Sequence, residues 1–397
     1  MTVPLVALGD VVEIKGGGTP SKANPAFWNG EIPWVSPKDM KRWEIDSAED
    51  QITSEAIKAS ATNLIPVNSI LVVNRSGILK HTLPIGITRR PLAINQDIKA
   101  LICGKRADPN YVAHLVKAAE PIVLRWVRAT TADNFPIENL KALEIPLPPI
   151  PEQQRIAAIL DKADALRRKR KRTIQLLGSL TQSTFFDLFG HTRDDVSKWG
   201  NRIPLSDLAE IGSGITKGRK LNGQATRHVP YLAVANVQDR RLELANVKSI
   251  EATESEIVRY RLQKDDLLLT EGGDPDKLGR GTLWANEIDE AIHQNHIFRV
   301  RLRSAAILPL FLNWLVGSPY GKSYFLSVAK QTTGIASINK TQLSEFPVIV
   351  PPIDLQWRFV RLAEAASAEA KRLISSSVEV DALFLSLQHD ALSGELA

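Results

Sequence analysis

One cysteine in 397 residues, Cys103, leaves no pair for a disulfide and no set of thiolates for a zinc module. It is expected to be buried and reduced. No apolar run reaches the length of a membrane span, and the opening MTVPLVALGDVVEI has neither a basic n-region nor a cleavage pattern. A cytoplasmic location is therefore expected. Also missing are a Walker loop, a nucleotide-binding glycine fingerprint between strand and helix, and an adenine-methyltransferase tetrapeptide. A self-sufficient nucleotide or methyl-transfer enzyme is thereby disfavoured. What remains is ordinary: 44% hydrophobic and 24% charged residues, enough for two or three domains with cores of their own.

The most organised stretch is a helix expected from Pro151 to about Phe189. Pro151 suits a first helical turn, and Glu152 complements the positive end of the helix dipole. Ile156, Ile159, Ala163, Leu166, Arg170, Thr173, Leu177, Leu180 and Thr184 alternate in steps of three and four, a seam for a second helix. At 1.5 Å per residue it would span roughly 55 Å. Its match is C-terminal: Phe359, Leu362, Ala366, Glu369, Leu373, Ser376, Val380, Leu383 and Leu387 each lie 203 positions on. Pro148-Pro149-Ile150 is likewise answered by Pro351-Pro352-Ile353, and Gln153 by Gln356. A repeat near 200 residues is too long for a solenoid. One unit, globular half plus long helix, is written twice.

Charge separates the two helices. Residues 151–175 hold eight basic and three acidic side chains, whereas residues 352–397 hold four basic and seven acidic. The opposite signs favour pairing with each other over self-pairing. The run from Arg167 to Arg172 is either a solvated face or a contact with phosphates or an acidic partner.

In residues 1–147, short apolar runs such as Ile32-Pro33-Trp34-Val35 and Ile70-Leu71-Val72-Val73 are bounded by Gly, Pro, Asn and Ser, as strands are. Pro109 to Ala119 has helical spacing. Residues 203–350 repeat the order of features. Gly16-Gly17-Gly18 is answered by Gly212-Ser213-Gly214, Asn74-Arg75-Ser76-Gly77 by Thr270-Glu271-Gly272-Gly273, and Asn95-Gln96 by Gln294-Asn295. Thr130-Thr131 is answered by Thr332-Thr333. The fold class is α+β: two mixed α/β domains in tandem, separated by two long antiparallel coiled-coil helices. Boundaries fall at 1–150, 151–190, 191–351 and 352–397.

The PPIPEQQRIAAILDKAD helix entry, the GGGTPSK turn, the LLLTEGG and HQNHIFRV strands and the two-fold layout resemble a specificity subunit of type I restriction–modification enzymes. The resemblance covers essentially the whole chain. The second entry departs from the pattern, with Asp354-Leu355-Gln356-Trp357. The resemblance implies a subunit that reads double-stranded DNA through two target recognition domains, one for each half of a split sequence. It also implies that the helices hold two methyltransferase subunits and that motor–nuclease subunits join them. No cofactor is then expected here: S-adenosylmethionine, ATP and magnesium belong to the partners.

Candidate DNA contacts are Lys15, Gly17, Thr19, Lys22, Arg75, Lys80, Asn95 and Gln96 in the first half. In the second they are Lys217, Arg219, Lys220, Lys277, Arg280, Gln294, Asn295, Thr332 and Thr333. Lysine and arginine suit phosphates, and arginine also guanine; asparagine and glutamine suit adenine N6 and N7. Each has a bland counterpart: a solvated charge, a tight glycine turn, an amide tying a strand edge to a loop. Candidates for helix pairing or partner binding are Ile156, Ile159, Ala163, Leu166, Leu177, Leu180, Phe359, Leu362, Ala366, Leu373, Val380 and Leu383. No metal site is expected, since His293 and His296 lack a third ligand and the acidic loop Glu271–Asp276 lacks a nuclease lysine. Other readings are a coiled-coil adaptor without DNA specificity, or the specificity subunit of another DNA-methylation defence system.

Overall fold

The computed structural model describes residues 3–128, 133–192, 194–221, 223–332 and 334–396. Two compact units emerge: residues 1–172 with 373–397, and residues 173–372. Boundaries read from the sequence mark changes of element; compactness instead groups each half of a long helix with the domain it packs on.

The first unit is built on a five-stranded sheet in the order Val12–Gly16, Ile98–Cys103, Ile70–Val73, Ile85–Thr88, Glu44–Ile45. A four-stranded sheet runs Asp50–Ile52, Trp28–Val35, Leu92–Ile94, Leu64–Ile65. Ile70, Leu71, Val72 and Val73 are all buried, so this central strand has no solvent face, as its unbroken apolar run requires. The helix Pro109–Ala118 covers the sheet, with Asp108 accepting from the Tyr111 N–H as its N-cap.

The second unit repeats the scheme. Its four-stranded sheet runs Ala209–Ser213, Ile297–Leu302, Leu267–Thr270, Gly281–Leu283. Beside it Arg227–Leu232 pairs with Lys248–Ala252 and, in parallel, with Ile292–His293. In the first unit Trp28–Val35 pairs in the same parallel sense with Leu92–Ile94.

The long helices are Ile150–Phe189, 40 residues, and Ile353–Ser393, 41 residues. Each ends on a glycine with left-handed backbone, Gly190 at φ 101° and Gly394 at φ 80°, a conformation glycine adopts without steric cost. In the first unit the start of the central helix meets the end of the C-terminal one. Ile156, Ala157 and Leu160 share a core with Phe384 and Ala391. Arg167 Nε donates to Asp381 Oδ1 at 2.6 Å, and its guanidinium lies 4.4 Å from the Phe384 ring centroid. Arg170 donates to the Ser376 carbonyl at 2.8 Å. In the second unit the helices meet the other way round, with Phe185 edge-on to Phe359 at 5.1 Å between centroids. Within each unit the paired segments therefore run antiparallel.

The seam differs from the expected one at alternate positions. Leu166, Leu180 and Leu383 are 44%, 52% and 58% exposed, so they do not pair the helices. Their neighbours Arg167, Thr181 and Phe384 face inward instead, and Leu160 is more deeply buried than Ile159. The true seam takes four steps where the expected one takes three. Apolarity alone misplaces it, because Arg167 lays its guanidinium over the Phe384 ring and Thr181 returns its hydroxyl to the Leu177 carbonyl. Ile156, Ala163, Leu177, Phe359, Leu362, Ala366, Leu373 and Val380 are buried or half-buried, as a seam demands.

Cys103 is half-buried rather than enclosed, and desolvation pushes its thiol up to about 12. Among the described residues no helix is long and apolar enough to cross a membrane, and no metal-ligating cluster forms.

Candidate nucleic-acid interface

Both units place a polar turn at the same point of the framework. In the first, the backbone N–H of Asn95 donates to Val35 O at 3.0 Å, and that of Asn74 to Asp97 O at 2.8 Å. In the second, Gln294 donates to Leu232 O at 2.9 Å, and Glu271 to His296 O at 3.0 Å. Asn95-Gln96-Asp97 thus corresponds to Gln294-Asn295-His296. Beneath each turn the glycine segment crosses the chain. A Cβ on Gly17 would lie 1.9 Å from Ile94 O, and one on Gly214 1.9 Å from His293 O. Gly17, a candidate DNA contact, is required by this internal crossing.

The candidates divide once their partners are known. Asn95 is buried, donating to Asp97 Oδ2 at 2.9 Å and accepting from the Asp97 N–H at 3.0 Å, so its amide is spent inside the turn. Gln96 beside it is exposed and accepts from the Thr19 hydroxyl at 2.6 Å. Arg75 pairs with Asp97 at 2.6 Å yet remains about half exposed. Lys80 lies 3.7 Å from Asp133, and Lys15 lies 3.4 Å from Glu13. Lys22, Lys217 and Lys220 are exposed.

Arg219 is not a surface cation. It forks onto Glu256, 2.6 Å from Oε2, and donates to Glu251 O at 2.8 Å, holding the Glu256 carboxyl down at about 2. Arg219, a candidate phosphate contact, serves as an internal tie. Arg280 is half-buried and donates to Gln238 Oε1 at 3.2 Å, and Lys277 pairs with Asp274. Gln294 and Asn295 are half-buried on their turn. Thr332 ends the strand Lys330–Thr332, opposite Ile335. Thr130, Thr131 and Thr333 lie outside the described residues.

The histidines face different ways. His293 is enclosed in its strand, with Nδ1 3.2 Å from Tyr260 O; burial, with the Arg299 charge second, lowers it to about 4. His296 is exposed and engages Glu271 Oε2 at 2.6 Å. Sequence reasoning missed Asp97 and Glu271 as the anchors of the two turns, since each partner is more than twenty residues distant in the chain.

The run Arg167–Arg172 is divided too. Arg167 and Arg170 are consumed by the helix pair, and Arg168 lies 3.3 Å from Asp164, leaving Lys171 and Arg172 exposed.

Residues 2–176 match the family model described as "Type I restriction modification DNA specificity domain". Over that stretch the chain is similar to type I restriction enzyme specificity subunits. The specificity subunit of type I restriction enzyme EcoR124I/EcoR124II from Escherichia coli is 46% identical over 162 residues. That match spans 40% of this chain and 40% of the relative. The type I S subunit from M. genitalium aligns at TM-score 0.58 with 14% identity, covering 98% of this chain and 96% of its own. A structure described under complex assembly and conformational transition of a type I system aligns at 0.56, 14% identical, covering 99% of each chain. At such identities the likeness is one of fold. It reaches beyond the family-model match, across both units.

Proposed function

We propose that the chain is the non-catalytic DNA-reading subunit of a type I restriction–modification complex. Each unit reads one half of a two-part duplex target. The paired helices hold two methyltransferase subunits, motor–nuclease subunits join that assembly, and S-adenosylmethionine, ATP and magnesium act there rather than on this chain. The complex works in the cytoplasm, where its DNA is.

The carrying observation is one framework used twice with different side chains at its exposed turns. Thr19–Gln96 and Arg75–Asp97 in the first unit stand where Asn295–His296 and His296–Glu271 stand in the second. Keeping the backbone while changing exposed donors and acceptors is what reading two different sequences requires. Partner docking is supported by apolar side chains left exposed on the helices, among them Leu176, Leu180, Ile374 and Val378. The similar structure of complex assembly in a type I system accords with this.

The rival is a coiled-coil adaptor without DNA specificity. Titrating salt against binding to random duplex DNA separates them. A reader releases about one counterion per phosphate contact, so its affinity falls steeply on a log–log plot with a slope of several units. Negligible binding at low salt, by the chain or its methyltransferase complex, would favour the adaptor.

A further inference from the structure

The two equivalent turns carry more than a general contact surface. On each, one amide is held by a single side-chain hydrogen bond, and in the first unit its preceding neighbour Asn95 lies buried. Gln96 is exposed, and its Oε1 accepts from Thr19 at 2.6 Å. Asn295 donates through Nδ2 to His296 Nε2 at 3.4 Å, and His296 Nδ1 lies 2.6 Å from Glu271 Oε2. Glu271 accepting from Nδ1–H leaves Nε2 as the acceptor Asn295 needs, so one tautomer satisfies both bonds.

The bookkeeping of donors and acceptors comes out alike. Gln96 Oε1 has two acceptor positions, of which Thr19 fills one, and its NH2 remains available. Asn295 uses one of two N–H donors on His296, leaving one donor and its carbonyl oxygen. Each amide therefore retains a donor and an acceptor side by side. That is the pair which meets adenine N7 and N6–H2 in the major groove. Immobilising the amide beforehand also lowers the entropy lost on binding.

We propose that Gln96 and Asn295 are the equivalent base-reading residues of the two units, each taking the major-groove edge of an adenine. Thr19 and His296 are positioning residues that hold these amides, and the buried Asn95 only shapes its turn. This rests on the two-part DNA-reading function proposed above, and it names the residue in each unit that reads one base pair. Cations stand close by in the chain. Arg75 is bonded to the same turn through Asp97, and Lys217 lies two residues beyond Ile215, which bridges to Gln294. They suit the phosphates flanking a read base.

The test is the methylated motif produced by the assembled complex carrying Gln96→Ala, Gln96→Glu, Asn295→Ala or Thr19→Val in the full chain. Gln96→Ala should relax one adenine-containing base pair in one half-target, lowering its discrimination by roughly 10-fold to 100-fold. Asn295→Ala should do the same in the other half only. Gln96→Glu replaces the donor by an acceptor, so preference there should move toward cytosine, whose N4 amine donates. Thr19→Val should relax the same base pair as Gln96→Ala, while Thr19→Ser restores it; a merely structural threonine would not single out one base pair. An unchanged motif in an active Gln96→Ala complex overturns the assignment, as does relaxation spread over both halves. A wild-type complex with no two-part motif overturns the underlying function and this assignment with it.

Discussion

Gln153 and Gln356, 203 positions apart, make the same three hydrogen bonds. Gln153 Oε1 accepts from the Asp108 N–H at 2.8 Å, and its Nε2 donates to Arg106 O at 2.9 Å and Pro148 O at 2.8 Å. Gln356 Oε1 accepts from the Leu308 N–H at 3.0 Å, and its Nε2 donates to Ala306 O and Pro351 O, both at 2.9 Å. Both side chains are fully buried. Each ties the start of a long helix to the loop before a domain helix, fixing the angle at which the helix leaves its domain. The departure at Asp354-Leu355 leaves this clamp untouched.

Truncating either clamp should cost similar stability. Gln153→Ala leaves a buried N–H and two carbonyls without partners, at about 1–3 kcal/mol for each unsatisfied group before relaxation. A net loss of about 3 kcal/mol is expected, and the same for Gln356→Ala. Denaturant unfolding of the two variants measures it. A loss below about 0.5 kcal/mol at either site would mean the junction does not depend on the amide.

Acid should weaken the second unit through His293. Its folded-state value, about 4, lies below the ordinary 6.5, so the neutral ring is the form that stabilises the fold. The contribution is complete above pH 6.5 and is lost as pH falls from there through 4, on the order of 3 kcal/mol in all. Isoleucine fills the equivalent place in the first unit, at Ile94. A His293→Ile variant should therefore lose less thermal stability than wild type between pH 7 and pH 4. Parallel pH profiles for the two proteins would remove His293 as the cause.

The isolated chain should neither methylate nor cut DNA, and should not bind S-adenosylmethionine. Equilibrium binding of the labelled cofactor and a methyl-transfer assay on a partner-free preparation check this. Methyl transfer by such a preparation would overturn the non-catalytic assignment.

If the helix pair sets the separation of the half-targets, lengthening it should lengthen their gap. A heptad adds about 10 Å of helix, against about 3.4 Å per base pair. The seam is shared by both helices, so matching heptads belong in each: after Gly178, where open space surrounds the glycine, and after Ala368. The expected gain is up to about three base pairs, with the bases read unchanged. Insertion of two residues instead turns the seam by about 200° and should impair folding. The methylated motif of the heptad variant decides whether the gap has grown.

Much of this architecture is legible in the residues because it is periodic or duplicated. Ile156 and Phe359, Gln153 and Gln356, and the glycine turns repeat at a near-constant offset, and repetition exposes a shared framework without knowledge of contacts. The seam was legible only in part. Leu166 and Leu180 are the apolar choices, yet Arg167 and Thr181 face inward, since a guanidinium stacked on Phe384 and a hydroxyl bonded to its own helix both suit the seam. The turns were less legible still. Asn95 and Gln96 are adjacent amides of similar chemistry, and only the fold turns one inward to Asp97 and the other outward to Thr19. Arg219 resembles its neighbours Lys217 and Lys220 in sequence, but Glu256, 37 residues away, claims it.

The most direct measurement is an exchange of one reader. Residues 203–350 are replaced by the corresponding segment of a type I specificity subunit with a different target, and the motif methylated by the reconstituted complex is read genome-wide. Two independent readers predict that one half-target takes the donor's sequence while the other half and its gap stay as in wild type. A change in both halves, or loss of all sequence preference in a complex that still folds and transfers methyl groups, would contradict the account.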